Sequence, residues 1–262
     1  MEPTPQKDEP DSSEPHSGLE EARMAVWEHL DELRSALVRS LIAVGICFGV
    51  TYYFSDHIVY FLELPLLKIL PPGSNLYFTG IADKFTMYFK VSLMSAGFMA
   101  LPVILHQLWG FISPALYAHE RKFAVPFIFF GSFAFFVGLA FAYYIVIPYG
   151  YKFLIEFGTE NALSTEKPLI TMTEYFGLTT RLLLAVGLIF ETPVLLILLG
   201  KFGLVNSKML VKFRKHAFLL SALVAAIATP SPDAFTMLIV MSPLYALYEV
   251  SIVGVRFTGK NH

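Results

Sequence analysis

Six apolar stretches, each near the length of a bilayer crossing, recur along this chain after residue 34 and constrain its fold more than any other feature. A hydrocarbon core ~30 Å thick takes about 20 helical residues, and a backbone inside it must satisfy its polar groups internally. The stretches cover residues 35–54, 85–109, 123–148, 172–199, 216–229 and 234–255. They predict an all-α integral membrane protein with six transmembrane helices and both termini on one side. Composition agrees, because only 15% of the 262 residues are charged and 55% are hydrophobic, whereas a soluble domain carries about 25% charged residues. That is too little charge to cover a water-facing surface, and it argues against a soluble enzyme.

The fifth stretch is the weak one. It offers 14 residues, roughly 20 Å of helix at ~1.5 Å per residue. Either the bilayer thins there or the hairpin is re-entrant, since the sixth stretch begins directly after the two-proline turn Thr229-Pro-Ser-Pro-Asp233. The last two spans are expected to be short.

Lysines and arginines are retained on the cytoplasmic side of a membrane. With the amino terminus inside, the inner segments hold 13 of them and the outer segments four, Lys68, Lys84, Lys152 and Lys167. Both termini are therefore expected in the cytoplasm. The formal net charge of -2 hides a division, because residues 1–34 carry 10 acids and 3 bases while the remainder is net basic. Residues 1–22 are rich in Pro, Glu, Asp and Ser, a composition that buries too little apolar surface to offset ordering entropy. They read as a disordered acidic tail before a membrane unit over residues 23–258, with a tail at 259–262. No basic start with an apolar core and cleavage site marks a secretory signal, so the spans themselves direct the chain to the membrane.

The two longer outer connections look like interfacial helices. One carries Ile58, Phe61, Leu62 and Leu66 with Pro65 inside the run, then the turn Pro71-Pro72-Gly73-Ser74-Asn75. The other opens with Tyr149, Phe153, Ile155 and Phe157 interspersed with Lys152 and Glu156.

Charges inside spans are costly and mark sites. Glu191, within Leu188-Ile-Phe-Glu-Thr-Pro-Val194, has nine uncharged residues on each side. Pro193 removes the bond its N–H would have made to the Ile189 carbonyl, which leaves a polar notch in an apolar wall. Three readings stay open: a protonated Glu satisfied within the bundle, a docking point for a partner helix or substrate, and a proton relay. Arg181 lies ten residues away, about 15 Å along a helix, too far for a direct pair.

At the inner mouth of the first span, Val26, Leu30, Leu33 and Leu37 form one helical face and Glu28 and Glu32 another. Glu32 either pairs with Arg34 and Arg39 or receives a ligand. On the next inner loop, Ser113-Pro114 reads as a helix start that carries Glu120 to the interface, at the depth of Glu32. Two such carboxylates suit guanidinium groups, although Glu120 has Arg121 and Lys122 beside it.

Enzymatic signatures are absent: no HExxH, GxSxG or P-loop occurs, and the single Cys47 excludes an intramolecular disulfide and any CxxC site. His106 stands alone. No metal or cofactor site is expected, nor any nucleic-acid partner, and an energy source would have to be an ion gradient or a partner. On these residues alone, a proton-coupled small-solute transporter using Glu191 is an alternative.

Four motifs in order, His29-Leu-Asp-Glu-Leu-Arg34, the run Leu108 to Arg121, Phe190-Glu-Thr-Pro193 and Thr229-Pro-Ser-Pro-Asp233, resemble the TatC subunit of the twin-arginine protein translocase. The resemblance spans roughly residues 24–258. It implies a non-enzymatic receptor for folded secretory proteins in a bacterial inner membrane, driven by the proton-motive force. It also implies that twin-arginine signal peptides meet Glu32 and Glu120, supported by Arg121 and Phe111. Glu191 would meet partner helices or the signal peptide, Thr229 would be where the single-span subunits TatA and TatB dock, and Pro65 and Asp233 would serve outer-loop assembly. Self-association into a multimeric receptor, surrounded by membrane lipid, is implied too. Many relatives have Thr-Pro-Pro-Asp where this chain has Thr229-Pro-Ser-Pro-Asp233.

Overall fold

A computed structural model describes residues 14–70, 76–112, 123–159, 169–228 and 234–258. Among these the chain is helical, with no strand beyond one isolated bridge. In order the elements are α1 (Glu14–Tyr53), α2 (Ser55–Leu67), α3 (Asp83–Ile112), α4 (Ala124–Phe141), a π segment (Ala142–Val146), α5 (Ile147–Thr159), α6 (Met172–Phe190), α7 (Thr192–Lys201), α8 (Ser207–Lys212), α9 (Arg214–Ala228) and α10 (Ala234–Thr258).

Five helical rods are long and apolar enough to cross a membrane: Trp27–Tyr53, Asp83–Ile112, Ala124–Glu156, Met172–Lys201 and Met237–Thr258. The stretch expected as the fifth crossing is α9, whose 15 residues leave it shorter than the other five. The last span, also expected to be short, is instead a 25-residue helix, α10, because its apolar run continues unbroken through Pro243. Helical backbone begins at Glu14, inside the segment read as a tail. Pro15 suits that start, because the first helical turn needs no proline N–H.

The second outer-loop helix is not a separate element. α4, the π segment and α5 run on without a break, and right-handed backbone persists at Phe141, Ala142 and Ile147. Pro148, lacking an N–H, falls just past a π turn, where the regular ladder is already displaced. α2, by contrast, is split from α1 at Phe54.

Local sequence accounts for the other boundaries. The Thr171 hydroxyl accepts from the Glu174 N–H at 3.3 Å and starts α6, and Asn206 Oδ1 accepts from the Met209 N–H at 2.7 Å and starts α8. α7 stops at Gly203, whose φ of 75° lets its N–H reach the Gly200 carbonyl and the Leu204 N–H reach the Leu199 carbonyl. Those two bonds satisfy carbonyls a helix end leaves orphaned.

Small residues draw the rods together, as they do where lipid supplies no hydrophobic drive. A Cβ on Gly138 of α4 would come within 2.8 Å of Phe190, and one on Gly187 of α6 within 2.7 Å of the Phe135 ring. α7 and α10 interlock likewise, Gly200 against Val255 and Gly254 against Ile197.

The end of the bundle that carries α2 is also held by hydroxyls. Pro65 has no N–H to offer the Phe61 carbonyl, and the Tyr143 hydroxyl donates to that carbonyl instead at 2.6 Å. The two rings stack at 4.4 Å. Tyr175 donates to the Leu62 carbonyl, and Tyr151 to the Tyr175 carbonyl at 2.9 Å. Tyr77 pairs with Thr171 in a parallel bridge, taking the Met172 N–H at 3.0 Å, which ties the two loops at this end.

Candidate functional site

Two of the acids singled out from the sequence lie among the described residues, one in the wall and one at the end opposite α2. In the wall, Glu191 is the hinge residue between α6 and α7. Its carbonyl accepts the Leu195 N–H at 3.0 Å and so starts α7, with Pro193 in the first turn. Its side chain is 6% exposed, and among the described residues neither carboxyl oxygen has a hydrogen-bond partner. The carboxyl faces Gly131 of α4, where a Cβ would lie 3.1 Å from Oε2 and 2.9 Å from Leu105 Cδ1. Gly131 thus makes the room that Glu191 occupies. Arg181 is exposed elsewhere on α6, and no direct pair forms.

At the opposite end, α1 and α3 frame a hollow of about 250 Å³ whose lining includes Glu32, Ser35, Arg39, Gln107 and Phe111. Unlike the other grooves on this surface, its wall is about half polar. Glu32 is exposed and sits 3.5 Å from His29 Nδ1. His29 in turn stacks on Phe111, with ring centroids 4.3 Å apart. A carboxylate held at the lip of a half-polar hollow beside an aromatic ring can accept the parallel N–H pair of a guanidinium. The same ring offers a face to a cation.

Of the residues singled out from the sequence, Glu32 and Phe111 are brought together here, Glu191 lies alone in the wall, and Pro65 is buried in α2 at the far end. Glu120, Arg121, Thr229 and Asp233 lie outside the described residues. No group of His, Cys, Asp and Glu among the described residues is arranged to hold a metal ion.

Comparison with known proteins decides the family. The family profile described as Sec-independent protein translocase protein (TatC) matches residues 28–243. The chain belongs to the TatC family. It is 40% identical over 241 residues to the TatC of Desulforapulum autotrophicum, covering 92% of this chain and 87% of that protein. With the Escherichia coli TatC it shares 36% over 230 residues, 87% of each. Crystal structures of a twin arginine translocase receptor TatC match it at 35% identity. One has a TM-score of 0.74, covering 88% of this chain and 99% of that one. Another, in the detergent DDM, has a TM-score of 0.76, covering 89% and 100%.

TatC proteins are non-enzymatic transport components, and membership in that family does not favour a small-solute transporter. The structure adds residues that spacing alone did not reveal. His29 was legible only as part of a motif; its stack on a ring 82 positions away needs α1 beside α3. Gln107 and Arg39 reach the hollow for the same reason. Gly131 beneath Glu191 had no signal beyond being a small residue in a span.

Proposed function

We propose that this chain is the core receptor subunit of a twin-arginine translocase, binding signal peptides at its cytoplasmic face and organising partner subunits for export of folded proteins driven by the proton-motive force. In this reading α9 is a short fifth crossing, so six spans place both termini in the cytoplasm of a bacterial inner membrane, as the 13 inner bases favour. Residues 23–258 form the membrane unit, with residues 1–22 and 259–262 as cytoplasmic tails.

The observation that carries the reading is the Glu32 carboxylate at the lip of the α1–α3 hollow, beside Phe111. The loop that bears Glu120 and Arg121 leaves α3 one residue after Phe111 and re-enters at Phe123. Glu120 is assigned to the same site, and two carboxylates there would match two adjacent guanidinium groups. Glu191 and Thr229 are assigned to the helices of TatA and TatB: a buried carboxyl with no described partner supplies an acceptor for a polar group on an incoming helix. Pro65 and Asp233 are assigned to assembly of a multimeric receptor on the outer side.

The test is site-specific crosslinking of a twin-arginine peptide to the full chain in membranes. Glu32→Ala and Glu120→Ala should each weaken capture about tenfold or more, since a hydrogen bond to a charged group is worth ~1.5–3 kcal/mol. Undiminished capture by both variants would refute the assignment.

A further inference from the structure

The hinge at Glu191 has a second product, a wedge between α4 and α7. Before the hinge, α6 lies tight on α4 through Gly138 with Phe190 and Gly187 with Phe135. Beyond it, α7 is drawn to α10 through Gly200 and Gly254 and keeps a thinner contact with α4, where Val194 and Leu198 share a cluster with Phe127. The wedge this opens has a volume of about 310 Å³ and is walled by Phe123, Phe127 and Phe130 on α4's side and Val194, Leu198 and Lys201 on α7's. The wall is almost wholly apolar except at one end. There Lys201, the last residue of α7, holds its Nζ over the ring of Phe123, the residue before α4.

We propose that this wedge binds one acyl chain of an anionic phospholipid, with Lys201 at its mouth holding the phosphate. Shape, charge and depth each favour that occupant. The wedge runs from Phe123 to Phe130 and from Val194 to Lys201, seven steps of rise or ~10 Å, and its volume is roughly twice the ~150 Å³ apolar cavity that admits benzene. That suits a length of hydrocarbon chain and is too short and narrow for a helix ~10–12 Å across. Lys201 is the charged residue of the wall, and its ammonium supplies the positive charge that an anionic headgroup meets. Both Phe123 and Lys201 stand at span ends, where lipid headgroups lie. In the orientation proposed above this is the cytoplasmic leaflet. A chain in the wedge would brace the divergence of α7 from α4 and so hold the Glu191 hinge open.

The experiment reconstitutes the full chain in nanodiscs of phosphatidylglycerol and phosphatidylcholine, with a photoreactive group on the acyl chain of either lipid. Crosslinked peptides are mapped by mass spectrometry. Labelling should concentrate on residues 123–130 and 194–201 above that on the lipid-facing stretch of α1, with phosphatidylglycerol favoured about fivefold, the ~1 kcal/mol that one lysine contributes at an anionic lipid surface. Val194→Phe and, independently, Pro126→Phe should fill the wedge and abolish the excess labelling. Lys201→Gln should keep the acyl labelling and lose the headgroup preference. Labelling no higher than on α1, a headgroup preference unchanged in Lys201→Gln, or capture of a partner subunit's helix in the wedge in place of lipid would each overturn the proposal. None of these readouts involves signal-peptide capture, so the lipid site can fail while the receptor reading stands, and the reverse.

Discussion

Pro65 and Tyr143 form a coupled pair whose energy can be measured. A proline inside α2 leaves the Phe61 carbonyl without its helical donor, and the Tyr143 hydroxyl, on a side chain only 8% exposed, supplies one at 2.6 Å. Tyr143→Phe keeps the ring stacked on Phe61 at 4.4 Å, so it removes the hydrogen bond and creates no cavity. A fully buried acceptor left unpaired costs ~1–3 kcal/mol, but this bond is only partly buried and hydrogen bonds between membrane helices average nearer ~0.6 kcal/mol, so we expect ~1 kcal/mol, about a fivefold change in the unfolding equilibrium. Pro65→Ala restores a backbone N–H that can take the Phe61 carbonyl. In that background Tyr143→Phe should cost under ~0.5 kcal/mol, a coupling of at least that size across the double-mutant cycle. The assay is unfolding of the purified protein in mixed micelles, followed by circular dichroism. Equal costs for Tyr143→Phe in both backgrounds would refute the idea that the tyrosine answers the proline.

Three further outcomes are expected. Glu191→Leu removes a buried carboxyl with no described partner, so thermal unfolding of the purified chain should show a gain of about 1–3 kcal/mol while export by the assembled translocase falls; a destabilised variant would mean the carboxyl is held by a partner. Gly187→Ala drives a Cβ to 2.7 Å from the buried Phe135 ring and should cost ~1–3 kcal/mol by overpacking, whereas Gly45→Ala, with nothing within 4 Å, should be neutral or stabilising in the same thermal scan. Burial holds the half-buried Glu63 carboxyl on α2 above its ordinary value of 4.5. Its raised folded value means that the contribution of Glu63 to stability is fully present below that ordinary value and is lost as pH rises through the folded value. The fall should vanish in Glu63→Gln when micellar unfolding is followed against pH.

Much of the frame was legible because membrane helices report themselves by length and hydropathy. α3 and α10 lie within three residues of the predicted spans at either end, and the turn expected to be weakened at Pro193 falls where α6 gives way to α7. The join between α4 and α5 was not, since a π segment has no composition of its own and the polar residues of α5 mimic a new interfacial element. Of the candidate site, Glu32 and Glu191 could be picked out as charges in improbable places. Their surroundings could not, because His29, Phe111 and Gln107 share a hollow only after α1 and α3 pack side by side.

The order of the chain's apolar and charged residues was enough to determine an all-helical protein with membrane-crossing helices, because burying backbone in lipid leaves helices almost no alternative, and its motifs were enough to suggest the TatC family. Tertiary structure decided what the charges and kinks do. Whether a carboxyl inside a span is paired or bare depends on which residue of another helix stands opposite, and only the α4–α6 contact sets Gly131 there. Whether a proline's orphaned carbonyl is left unpaired or satisfied depends on a hydroxyl 82 positions away. The wedge at Lys201 forms where α7, held close to α10 at Gly200 and Gly254, leans away from α4 beyond the hinge.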